Sequence, residues 1–123
     1  MRVFKNKWFE KYAKKEHISN KKLLDLIKEL ENDAIDVDYG GNVVKQRLAR
    51  AGQGKSGGYR CIILFCVNEK AFFVYGFAKS ERDNITKDDE KVFKDLAKKM
   101  FSFADEEIKQ LLKVGALIEV NYE

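Results

Sequence analysis

Two apolar runs set almost end to end constrain this chain more than any other feature. Tyr59 to Val67 reads YRCIILFCV, Asn68 and Glu69 follow, and Lys70 to Ala78 reads KAFFVYGFA. After Arg60 the first run is apolar at successive positions, so both pleat faces of such a strand must be covered. Two such runs around a tight turn predict a buried β-hairpin. Other elements follow from periodicity and caps. Residues 5–16 predict a short helix with Phe9, Tyr12 and Ala13 on one face, broken at His17 and Ile18. Ser19 is the expected N-cap of a second helix reaching about Asn32, with Leu23, Leu26, Ile27 and Leu30 as its apolar stripe. Asp38 to Asn42 (DYGGN) reads as a turn-rich break, Val43 to Ala49 as a strand, and Arg50 to Gly58, with four glycines, as a mobile loop. Thr86 followed by Asp88 and Asp89 predicts a helix start. A further helix from about Asp105 should stop at Gly115, before a short strand from Ala116 to Val120. The order ααβββααβ predicts an α+β fold, with helices packed on one face of a mainly antiparallel sheet. At 123 residues, with neither a linker nor an internal repeat, a single domain over 1–123 is expected.

Several chemistries are disfavoured at once. His17 is the single histidine, so histidine-cluster metal sites and Ser-His-Asp or Cys-His catalysis are not expected, and no cofactor is implied. Cys61 and Cys66, five residues apart on a strand, would point to opposite faces and suit core packing better than a disulfide or a nucleophile. No run of 18 apolar residues occurs and the N-terminus lacks a secretory signal, so a reducing cytoplasmic location without membrane insertion is the expectation.

The charge is uneven. The net charge is +4, yet Tyr39 to Asn68 contains no acidic residue and carries Lys45, Arg47, Arg50, Lys55 and Arg60. Lys79 and Arg82 follow the hairpin, at the end of the sheet where the Tyr59 strand begins. Seven cations are therefore expected around one sheet end. From charge alone, a solvated basic face and an anion site are about equally good readings. Glycines beside Lys55 would allow close approach to a phosphate, and Arg60 opens an apolar strand where an unpaired cation is costly away from a rim. The window GQGKSGG is not a P-loop, because Gly52 is too close to Lys55 and a strand follows rather than a helix.

The basic strand, Gly58-Tyr59-Arg60 leading an apolar strand, the second apolar strand and Lys79-Ser80-Glu81-Arg82 entering a helix together resemble the RelE/ParE superfamily of bacterial type II toxins. GKSGGYR and YGFAKSERDNI look closest to its HigB-like or RelE-like branch. The resemblance implies a RelE-like fold and a ribosome-dependent mRNA endonuclease that inhibits translation and is held inactive by a cognate antitoxin. It implies cleavage without metal, by attack of a 2′-hydroxyl on the adjacent phosphate. The arginine of the Gly-Tyr-Arg motif falls on Arg60, a phosphate and transition-state ligand in the family, and the lysine after the hairpin falls on Lys79. The family's basic strand positions fall on Lys45 and Arg47. The chain departs from a well-studied form of the motif at Ser80, where arginine stands, and near Thr86, where tyrosine stands; Arg82 is the nearest replacement cation.

With no usable histidine, lysine and arginine must carry the chemistry. Arg60 is the expected phosphate clamp, because a guanidinium stays charged and binds bidentately. Lys79 or Lys55, with its pKa lowered by Arg60 and Arg82, is the expected base. The expected catalytic set is Arg60, Lys79, Arg82 and Lys55, and the expected RNA-binding set is Lys45, Arg47, Arg50 and Tyr59. Two other functions fit less closely: a ParE-like toxin acting on DNA gyrase, and a non-enzymatic RNA-binding regulator.

Overall fold

The computed structural model describes residues 1–50 and 54–122, the side chains of residues 54–56 excepted. Among the described residues the elements run β1 (Arg2–Asn6), α1 (Lys7–Lys15), α2 (Asn20–Glu31), β2 (Val37–Gly40), β3 (Val43–Arg50), β4 (Gly54–Cys66), β5 (Lys70–Ala78), α3 (Lys87–Phe101), α4 (Asp105–Lys113) and β6 (Leu117–Glu119). They build the expected α+β architecture, a mostly antiparallel sheet in the order β2-β3-β4-β5-β1-β6. The hairpin is its centre: Tyr59 pairs with Ala78 and Cys66 with Lys70. Both caps form as the sequence dictates. The Ser19 side chain accepts the Lys22 N–H, and Thr86 and Asp89 form a reciprocal capping box at the start of α3.

Three expectations change. The helices cover both faces of the sheet, not one. α1 and α2 pack Phe9, Leu23, Leu26 and Leu30 against Val44, Cys61, Ile63 and Phe73. α3 and α4 pack Ala97, Met100 and Ile108 against Val43, Ile62, Leu64 and Phe72 on the other side. This double cover is why β4 is apolar at successive positions. Second, the first residues form a strand before the helix. β1 inserts between β5 and β6, parallel to the first and antiparallel to the second. Val3, Phe4 and Lys5 are consequently all buried, and the Lys5 ammonium is met by Glu10 at 2.8 Å. Third, the glycine-rich window is not wholly a loop. β3 extends to Arg50 and β4 begins at Gly54, while residues 51–53 lie outside the described residues. Likewise Asp38 to Gly40 belong to β2, and the turn itself is Gly41 and Asn42, both with positive φ.

α1 crosses close to β5 because Gly76 has no side chain. A Cβ there would stand 2.9 Å from Tyr12 Cε2 and 3.2 Å from Phe9 Cε2. Gly76→Ala must push two ring systems outward, so a loss of about 1–3 kcal/mol is expected. Urea unfolding monitored by circular dichroism checks it; a midpoint equal to that of the parent would show that the α1 contact is loose.

Candidate functional site

The register of the three central strands creates a small grid on the α3/α4 face. Arg47 lies opposite Arg60, and Arg60 opposite Phe77. One row along, Lys45 lies opposite Ile62, and Ile62 opposite Tyr75. Directly opposed residues project from the same face, so Lys45, Arg47, Arg60, Tyr75 and Phe77 share one surface. Two arginines directly opposite one another oppose folding. That local conflict is the kind found where a binding site overrides stability.

Arg82 completes the site from the segment after β5. Its guanidinium lies over the rings of Tyr75 and Phe77, at 5.7 and 5.8 Å from their centroids. It donates from Nε to the Asn84 carbonyl at 2.7 Å, from Nη1 to the Tyr75 hydroxyl at 3.0 Å and from Nη2 to Asp89 Oδ2 at 2.5 Å. Three of its five N–H donors are thereby committed, and its position is fixed. The Asn84 side-chain oxygen accepts from Tyr39 Oη at 3.0 Å and from Lys45 Nζ at 3.1 Å. Asn84 thus ties β2, β3 and the lead into α3 together. Arg47 is held by Asp36, which accepts its backbone N–H at 2.6 Å and its guanidinium at 3.1 Å. Arg60 is 7 % exposed and donates to its neighbour's carbonyl, Tyr59 O, at 3.3 Å.

Among the described residues of the site, one lysine has a shifted pKa. Burial, with the Arg60 charge adding to it, holds Lys45 below the ordinary lysine range. Conversely, Asp89 is held below the usual carboxylate range, first by the Thr86 backbone N–H and further by Arg82. With Asp36 and Asp89 set against Lys45, Arg47, Arg60 and Arg82, the patch keeps a net positive charge.

The seven expected cations divide. Lys45, Arg47, Arg60 and Arg82 come together. Lys79 follows β5 directly, is exposed, and donates its backbone N–H to Gly58 O. The Lys55 side chain lies outside the described residues. Arg50 and Tyr59 belong to the opposite face. The Tyr59 ring is buried against Tyr12, its hydroxyl donates to Glu16 Oε1 at 3.0 Å, and Arg50 lies over that ring at 5.4 Å. Strand alternation explains Tyr59, since the neighbour of an Arg60 facing one side must face the other. The same alternation explains Arg50, which stands three residues after Arg47 and two after Leu48 and so shares the Leu48 face. Tyr39, Tyr75 and Asn84 also belong to the site; the pattern of the hairpin points to Tyr75 as a core residue, and nothing local points to the other two. Tyr75 was findable, standing two residues before Phe77 on the same pleat face; Tyr39 and Asn84 meet only through the tertiary fold.

A six-stranded sheet with helices on both faces and a cation cluster on its central strands makes this a small basic α+β domain. Residues 1–120 match the family model described as the RelE toxin of the RelE / RelB toxin-antitoxin system. The chain belongs to the RelE toxin family. A comparison with curated proteins found no match.

Proposed function

We propose that this toxin is a ribosome-dependent mRNA endonuclease that inhibits translation, with Lys45, Arg47, Arg60 and Arg82 forming its active surface. The observation that carries the reading is the two-row grid with Arg82 beside it: four cations and two aromatic rings around one face, with the Lys45 ammonium held below the ordinary lysine range by burial and by Arg60. Transesterification requires removal of the 2′-hydroxyl proton, stabilisation of charge on the phosphorus-bound oxygens, and return of a proton to the leaving 5′-oxygen. Arg60, with Arg47 opposite it, takes the phosphate oxygens. Lys45 in its neutral form accepts the 2′ proton, the oxygen attacks phosphorus, the bond to the 5′-oxygen breaks, and a cyclic phosphate remains. We assign the returning proton to Tyr75, whose oxygen accepts from Arg82 while its own hydrogen remains available. Lys79 adds charge at the hairpin end. The ribosome supplies much of the orientation. A cognate antitoxin, which the family implies as partner, would silence the toxin by neutralising this face. Among the described residues no helix is long and apolar enough to cross a membrane, and we place the action in the cytoplasm, where ribosomes are.

The pH dependence follows from Lys45. Its neutral form is the active one, so the cleavage rate should rise with pH through a pKa below the ordinary lysine value of about 10.4. Arg60→Gln removes one of the two causes of the depression and should move that limb upward; Lys45→Arg should abolish it. Single-turnover rates across pH check this, and a limb unaltered in Lys45→Arg would assign the proton to another group.

The reading as a whole is tested by brief induction in cells followed by mapping of transcript 5′-ends. New ends inside translated codons are expected. DNA breaks with intact transcripts would point instead to a gyrase-directed toxin, and neither effect to a binding module.

A further inference from the structure

α3 carries a second basic feature outside the grid. Lys87, Lys91, Lys94 and Lys98 recur at spacings of four, three and four residues. At about 100° per residue they fall within an arc of roughly 60°. This stripe lies on the flank of α3 nearest the β2–β3 turn: the Lys94 side chain lies against Gly41, where a Cβ would come within 2.9 Å of Lys94 Cγ. Two grooves follow the same flank. One, of about 320 Å³, is lined by Lys87, Glu90, Lys91 and Lys94. The next, of about 570 Å³, includes Gly41, Asn42, Lys94 and Lys98. Glu90 and Asp95 border the stripe, so the flank keeps a net positive charge.

The stripe begins close in sequence to a residue of the proposed active surface. Its first lysine stands three residues after Asn84, which accepts from Lys45, and seven residues further on Lys94 lies against Gly41 in the β2–β3 turn. Its 11 residues of separation span about 16 Å. Stacked nucleotides advance roughly 3.4 Å each, so the stripe covers about five nucleotides. A basic groove that follows a backbone is how single strands are held without regard to sequence.

We infer that the Lys87–Lys91–Lys94–Lys98 flank is a track for the phosphodiester backbone of the same RNA strand whose scissile phosphate sits at Arg60. This rests on the nuclease reading for its starting point. The chosen occupant is RNA rather than an acidic peptide, because the positive charge repeats along a groove that starts near Asn84, the partner of Lys45 in the active surface.

The test uses the full chain and a 2′-O-methyl RNA that cannot be cleaved, titrated at several salt concentrations. Each phosphate contact on a single strand contributes a slope of about 0.7 in log K against log salt. Replacing all four lysines by alanine should lower the slope by about 3, and replacing them by arginine should preserve it. Lengthening the RNA by five nucleotides on one side should tighten binding to the parent chain at least tenfold, and not to the alanine variant. An unchanged slope would overturn the track. So would equal tightening in both proteins, or a variant that loses only antitoxin binding. Because this RNA cannot be cut, the result is independent of nuclease activity: uncut transcripts in cells with a slope loss here would refute the nuclease and leave a track for RNA backbone without a scissile phosphate at its start.

Discussion

Arg60→Ala is expected to lower the single-turnover rate of RNA cleavage by about 10²–10³, the usual cost of removing one preorganised donor from a developing negative charge. Its position gives this side chain that weight. It lies in the middle strand of the grid, between Arg47 and Phe77, and is 7 % exposed. A charge in so sheltered a place acts on a bound phosphate through little intervening water. Arg60→Lys keeps the charge and loses the planar fork, so it should recover only part of the rate. Thermal unfolding of both variants separates chemistry from folding, because truncating a buried side chain also costs packing. If Arg60→Ala folds and cuts at the parental rate, the phosphate clamp lies elsewhere, and Arg47 and Arg82 are the next groups to examine.

The second large effect is on stability. Phe73 is fully buried on β5, with its ring 5.1 Å from Phe9 of α1, and belongs to the core layer between the sheet and the two N-terminal helices. Phe73→Ala should cost about 3–5 kcal/mol. Total stability for a domain of this kind is about 5–15 kcal/mol, so a large part of the margin disappears. Urea denaturation should show the midpoint falling sharply with little change in slope. A loss under about 1 kcal/mol would mean that α1 collapses readily into the vacated space, which the tight contact at Gly76 argues against.

The parts of the fold that were legible in the sequence are those set by local pattern. The hairpin was plain because β4 and β5 are each nearly continuous apolar runs, and the starts of α2 and α3 were plain because Ser19 and Thr86 are good caps. β1 was not legible. It is five residues long, its parallel partner lies almost seventy residues away, and its side chains are buried by the core layers on both faces of the sheet, which leaves no alternation to read. That β4 must be covered on both faces was legible in its apolar run, but the helices were nevertheless expected on one face, because nothing local assigns α1 and α2 to one side and α3 and α4 to the other. The site was half legible for the same reason. Lys45 and Arg47 stand on alternating positions of one strand and share a face as pleating requires, while Arg60 joins them through the β3–β4 register. Lys45 as the lysine with a depressed pKa was not legible, because its burial and its nearness to Arg60 are products of register. Asn84 reads as an ordinary loop residue until the fold brings Tyr39 and Lys45 to it.

The most direct test of the central claim, that this face makes an RNA 2′-oxygen attack its own backbone, is cleavage of a message on programmed ribosomes with a single 2′-deoxynucleotide at the cut position. The unmodified message should be cut in the vacant codon and leave a cyclic phosphate, while the deoxy message stays whole. Equal cutting of both, or of neither, would contradict the account.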